Sequence, residues 1–218
     1  IYIASKFLFK ENIMIENVLT ETQVVENMEQ FKNLIKSITR EGANIDKLLD
    51  KLERSDFYTA PASTKYHGAY PGGLVDHSLC VYYNLKSLVE NKHLTDTISE
   101  DSIKIVALLH DLDKMNKYTT YMRNVPPSET CPTWTKEENY KTKDASELFV
   151  YGNHEQNSEF MARQFIPLTV EESTAILHHM GSMAWDSAKD NIGVVYNKYP
   201  LAMLLYVSDM ISTYIEKA

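Results

Sequence analysis

Ile103-Lys104-Ile105-Val106-Ala107-Leu108-Leu109-His110-Asp111-Leu112-Asp113-Lys114 is the stretch that decides how this chain is read. An almost unbroken apolar run ends on an imidazole and a carboxylate side by side. Both groups are costly to remove from water unless something holds them, and a divalent metal ion is the usual holder. If the stretch is one helix, His110 and Asp111 stand about 100° apart and reach one ion from the same side. Lys114 follows a turn later on that face, and Asp113 is expected to turn away into solvent.

Outward from the dyad, three more segments supply partners of the same kind: Gly73-Leu74-Val75-Asp76-His77, Gly152-Asn153-His154-Glu155 and Leu177-His178-His179-Met180-Gly181. A last carboxylate, Asp209, lies inside Leu204-Leu205-Tyr206-Val207-Ser208-Asp209-Met210-Ile211. An aspartate there without a partner would be expensive, which makes it a strong ligand candidate. Imidazoles and carboxylates together, with no thiolate among them, suit Mn²⁺, Fe²⁺, Co²⁺, Ni²⁺ or Zn²⁺ and argue against a structural cysteine-type zinc site. The expected cofactor is therefore a divalent transition metal, one or two ions per chain, with Mg²⁺ left open.

The periodicity is that of an all-α protein. Val24, Met28, Phe31, Leu34, Ile35 and Ile38 recur at spacings of three and four from Thr20 onward, and Thr20 with Gln23 reads as a capping box. Further helices are expected over about 45–52, 74–91, 100–115, 154–165, 170–180 and 199–216, with Pro200 in the first turn of the last. Residues 55–73 read as a long ordered loop. Between Tyr118 and Asp144 the pattern breaks at Pro126-Pro127 and Pro132, suggesting an irregular insert with a short β-hairpin at Thr133–Thr142. Residues 1–54 are read as an N-terminal helical extension to a domain over 55–218. Residues 1–13, which precede Met14, are read as a cloning remnant or an upstream extension.

A formal charge of −8 over 218 residues argues against duplex nucleic acid as a partner, because that binding needs a basic footprint. A small phosphorylated ligand is compatible with it, since metal and lysine can meet its charge locally. No run approaches the ~18 apolar residues of a membrane span. Two cysteines, Cys80 and Cys131, make no disulfide framework and fit a reduced, cytoplasmic setting. Homo-oligomerisation is left open.

The order His77, His110-Asp111, His154, His179, Asp209 resembles the HD-domain phosphohydrolases, over roughly residues 55 to 216. Tyr66-His67-Gly68-Ala69-Tyr70-Pro71-Gly72-Gly73-Leu74-Val75-Asp76-His77 looks like the family's approach to its first ligand helix. His77 matches the first metal histidine, His110-Asp111 the defining dyad and Asp209 the closing aspartate. His154 and His179 match the two further histidines of members that hold two metals. His178 competes with His179 for the last role, and His179 is preferred because His-Met-Gly is how the related segment reads. Asp113 departs from related chains, where a small or apolar residue is common.

The resemblance implies an HD-type helical bundle and a metal-dependent phosphohydrolase with Asp111 and Lys114 as catalytic groups. Lys114 would neutralise phosphate charge, as the family's His-Asp-x-x-Lys pattern also implies. His67, Tyr66 and Tyr70, on the loop before the first ligand, could stack on a base or donate to a phosphate, though packing of loop tyrosines explains them equally well. Arg123 and Lys143 in the insert are expected to be solvated. A small phosphorylated nucleotide, such as a deoxynucleoside triphosphate or a nucleoside monophosphate, is the expected substrate. The alternatives are a phosphodiesterase or 3′-to-5′ exonuclease acting on cyclic or short oligonucleotides, and a non-catalytic metal-binding regulator. The loop around His67–Gly73 also resembles one in exonucleases that join an HD domain to an oligonucleotide-binding barrel. The N-terminal residues here are helical and acidic, with no strand alternation or basic aromatic platform from which to build that barrel.

Overall fold

The computed structural model describes residues 19–128, 130–181 and 192–218, so the reading of residues 1–13 lies outside the described residues. The fold is mostly helical with one small antiparallel hairpin: α1 (Glu21–Lys36), α2 (Ile45–Glu53), α3 (Gly73–Asn91), α4 (Glu100–Leu109), β1 (Tyr118–Val125), β2 (Thr135–Thr142), α5 (His154–Arg163), α6 (Val170–Leu177), α7 (Ile192–Lys198) and α8 (Pro200–Met210). Among the described residues no helix is long and apolar enough to cross a membrane. Cys80 and Cys131 form no disulfide.

Local chemistry sets the helix starts. Thr20 and Gln23 form the capping box at α1, and Asn153 with Gln156 and Thr169 with Glu172 do the same at α5 and α6. Pro200 opens α8, where its missing N–H costs nothing. Ile103, Ile105, Val106, Leu108 and Leu109 are all buried, so α4 is wrapped by apolar neighbours and runs through the core.

α1 and α2, expected as an extension, contribute Phe31, Ile35, Leu48 and Leu52 to the same core as α3, α4, α6 and α8. Arg40, just after α1, clamps them further. Its guanidinium donates to both oxygens of the fully buried Glu172 on α6, at 2.9 and 2.5 Å, while Ser102 of α4 donates to the same carboxylate at 2.7 Å. Burial pushes Glu172 up, but Arg40, the Thr169 N–H and Ser102 outweigh it and hold the carboxyl below its usual range.

Four elements differ from the sequence reading. α4 stops at Leu109, and residues 112–114 form a 3₁₀ turn closed by Asn116 at φ 58°. The hairpin is larger than Thr133–Thr142, because 118–125 pairs with 135–142 from Tyr118↔Thr142 to Val125↔Thr135. The last helix switches from α to π geometry over 211–216. α7 was not expected at all.

Candidate metal centre

Each ligand candidate is delivered by a separate element. His77 comes from the buried face of α3, His110 caps α4 and Asp111 begins the 3₁₀ turn. His154 opens α5, His179 follows α6 and Asp209 sits one residue before the end of α8. His77, His110 and His179 are fully buried, and Asp111 and Asp209 are 3% and 5% exposed. The start of α3 depends on a close backbone approach: a Cβ on Gly73 would strike the main chain of Gly68. That contact lays the 62–72 loop against α3 and puts the His67 ring 5.0 Å from that of His77.

The imidazoles are aimed by their outer nitrogens. Nδ1–H of His77 donates to the Ala218 carbonyl at 3.2 Å, that of His110 to Ala107 at 2.9 Å and that of His179 to Ile176 at 2.7 Å. In each case Nε2 is left buried with no hydrogen-bond partner. These lone pairs face carboxylates: His77 Nε2 lies 3.2 Å from Asp209 Oδ1 and 3.5 Å from Asp111 Oδ2, His110 Nε2 is 3.4 Å from Asp111 Oδ2, and His179 Nε2 is 3.7 Å from Asp111 Oδ1.

Unprotonated nitrogens and carboxylate oxygens repel one another unless a cation or protons stand between them. Ligand atoms bonded at 2.0–2.2 Å to one ion are about 3.0–3.6 Å apart, and three of these four separations fall in that range, with His179–Asp111 just beyond it at 3.7 Å. Three overlapping triads, His77–His110–Asp111, His110–His179–Asp209 and Asp111–His154–His179, each bring ligand atoms within 4.8 Å of one another. The donor set fits a divalent transition ion. His178 is not part of the cluster; its Nδ1–H donates to Thr174 O at 2.9 Å.

Electrostatics divide the histidines. Burial, with His110 and His154 nearby, pushes His179 down to about 3. His154 goes the other way: burial opposes protonation, but hydrogen bonds to Asp111 and Asp113 outweigh it. Asp111 and Asp209 stay ionised despite their burial, Asp111 through Lys114 and His110 and Asp209 through His77. Lys114 Nζ stands 2.6 Å from Asp111 Oδ2, and that carboxylate raises the lysine's pKa against the cost of burial.

Asp113 is where the sequence reading fails. It is 6% exposed, accepts from His154 Nδ1 at 3.0 Å and from Asn157 Nδ2 at 2.7 Å, and pairs with Lys117. The wheel argument assumed that the helix continued past Asp111. The 3₁₀ turn instead swings Asp113 onto α5, where Ser158 accepts its backbone N–H at 3.1 Å.

A cleft of about 580 Å³ opens over the cluster, lined by Asp111, His154 and Asp209 at its base. Lys114, Lys117 and Lys217 also line it, with Tyr66 and Tyr214, 81% and 64% exposed, among its other walls. His67 belongs to this lining, and burial and the neighbouring His77 lower its pKa to about 4. Tyr70 does not: its hydroxyl donates to Asp76 at 2.7 Å, and Asp76 also accepts from Asn27. Arg123 is exposed on the hairpin and Lys143 is half-buried.

Sequence reasoning missed Lys117, Thr213, Tyr214 and Lys217. Lys117 could have been found, since it stands four residues after Asp113. The other three reach the cleft because of the π turn, which no motif announces; within it Thr213 donates to Asp209 Oδ1 at 3.2 Å. No family model, curated protein or solved structure matches the chain.

Proposed function

We propose that this protein is a metal-dependent phosphohydrolase of the HD-domain type acting on a small nucleotide. The observation that carries the reading is the convergence of three buried, partnerless imidazole Nε2 atoms on Asp111 and Asp209. His77, His110, Asp111, His154, His179 and Asp209 would hold the metal, and their overlapping triads leave room for one ion or two. When bound, such an ion supplies Lewis acidity and lowers the pKa of a coordinated water towards about 7.

The chain's own side chains account for the rest. Asp111 binds and also holds Lys114, whose ammonium stands at the cluster's edge where phosphate charge would develop. Lys217 extends that positive edge along the cleft, beside Lys117 in its pair with Asp113, so a phosphoryl group is met by cations on a chain that is acidic overall. Tyr66 and Tyr214 offer exposed ring faces to the nucleoside, and His67 offers a neutral imidazole in the wall.

The test is a substrate panel. Metal-stripped protein reloaded singly with Mn²⁺, Co²⁺, Zn²⁺ or Mg²⁺ is offered nucleoside mono-, di- and triphosphates, cyclic nucleotides and short oligonucleotides, with products separated by chromatography. Phosphate or triphosphate release from mononucleotides is expected. Cleavage confined to oligonucleotides or cyclic nucleotides would replace the substrate with a phosphodiester. Turnover of nothing by any loaded form would leave a metal-binding regulator.

A further inference from the structure

A second cavity, of about 460 Å³, adjoins the cleft over the cluster; Lys117 and His154 line both. Leu48 and Leu52 of α2, Leu112 of the 3₁₀ turn, Phe149 before α5, Met161 of α5 and Phe165 just after it make it largely apolar. Its volume is within the range of small-molecule sites, and its few polar groups are of the kind that orient a ligand.

Charge separates the two spaces. Apart from the shared His154, the charges lining the second cavity are balanced in number: Lys117 pairs with Asp113, and Lys51 and Glu147 add one charge of each sign. Its remaining polar side chains are the amides Asn116, Asn157 and Gln164. The cleft over the cluster is lined by Lys114, Lys117 and Lys217 against Asp111 and Asp209, one cation more than its carboxylates before any metal is bound. An anion suits the cleft and an uncharged ring suits the cavity.

The cavity wall is tied to a metal-ligand candidate by an unbroken chain of hydrogen bonds. The backbone N–H groups of Tyr151 and Gly152, beside Phe149, donate to Asn157 Oδ1 at 3.0 and 2.8 Å. Asn157 Nδ2 donates to Asp113 Oδ1 at 2.7 Å, His154 Nδ1 donates to Asp113 Oδ2 at 3.0 Å, and His154 Nε2 lies 2.7 Å from Asp111 Oδ1. Asn157 is 5% exposed, so shifting the 149–152 segment either moves its amide or leaves buried donors unsatisfied.

We propose that this cavity binds an uncharged aromatic molecule of one or two rings, and that its occupancy repositions His154 through Asn157 and Asp113. The coupling half rests on the reading of His154 as a metal ligand; the binding half does not.

Indole is the probe, and indole-3-acetate is its charged counterpart. Calorimetric titration is expected to show saturable indole binding with indole-3-acetate at least tenfold weaker. Met161→Trp and Leu148→Trp, at two residues that line the cavity, should each abolish indole binding. No saturable indole binding, equal binding of both probes, or full binding by both filled variants would overturn the site. For the coupling, Co²⁺ titrations followed by absorbance with and without saturating indole should differ at least threefold in affinity. Asn157→Ala should bring the two isotherms together while indole still binds. Unchanged Co²⁺ affinity in the parent protein would overturn the coupling. If Co²⁺ fails to bind at all while indole binds, the metal reading fails and takes the coupling with it, and the cavity stands.

Discussion

His154 is held between two carboxylates, with Nδ1 3.0 Å from Asp113 and Nε2 2.7 Å from Asp111. One carboxylate would share the ion with His154, and the other fixes the ring's orientation. The two aspartates should therefore fail differently. Asp111→Asn removes charge facing the ion and is expected to abolish metal binding with the fold retained. Asp113→Asn keeps a hydrogen-bond acceptor but loses charge, and should weaken metal affinity by about 10–100-fold. Chelator competition on the parent and both variants measures the difference; parent-like affinity in Asp113→Asn would remove Asp113 from the site.

Lys114 should serve the phosphate and not the metal. Lys114→Ala is expected to leave metal content unchanged and to slow turnover by about 10²–10³, or roughly 3–4 kcal/mol. Loss of metal would mean that its contact with Asp111 supports the ligand set instead. His93→Ala is the control, because His93 is exposed in the turn after α3 and should be silent. Metal analysis and steady-state rates on the same preparations decide it.

Chelation should lower stability, since an ion that binds only the folded chain stabilises it. At a hundredfold excess over Kd that is about 2.7 kcal/mol. For a chain of this length it corresponds to roughly 5–11 °C in Tm. Calorimetric scans with and without chelator, and with Mn²⁺, Co²⁺ or Zn²⁺ added back, test this directly.

The Arg40–Glu172 pair gives a pH signature away from the candidate metal centre. Glu172 has a folded pKa below its ordinary value of 4.5, so its contribution is present above that value and is lost as pH falls through the depressed pKa. Glu172→Gln should cost about 3 kcal/mol at neutral pH by leaving Arg40 without its charged partner. Parent and variant stabilities should draw together as pH falls below 4.5 and through the depressed pKa. Denaturant unfolding at pH 7 and pH 3.5 would show the gap closing.

Much of this was legible because the relevant signals are local. The apolar run before His110 could only be buried, and caps such as Thr20 with Gln23 and Pro200 marked helix starts. Histidines next to apolar helical sequence pointed to the cluster that the structure assembles. Asp113 was misread because a helical wheel holds only while the helix continues, and nothing local says that α4 yields to a 3₁₀ turn after Asp111. Tyr70 was assigned from its place near the first ligand, but Asp76 and Asn27 claim its hydroxyl through tertiary contacts. Tyr214 and Lys217 depend on one extra residue in a helical turn, a shift of register that composition does not record.

His77, His110 and His179 are oriented by the main-chain carbonyls of Ala218, Ala107 and Ile176, whereas His154 relies on a side chain. Every amino acid carries a carbonyl, so the aim of the first three rings is indifferent to which side chain occupies positions 107, 176 or 218. A saturation scan read by metal affinity should find those positions permissive to any substitution the packing tolerates, and position 113 sensitive even to its closest analogue. Three quarters of the imidazole scaffold is thus insulated from sequence drift, and the fourth ring is the point at which drift, or selection, can retune the site.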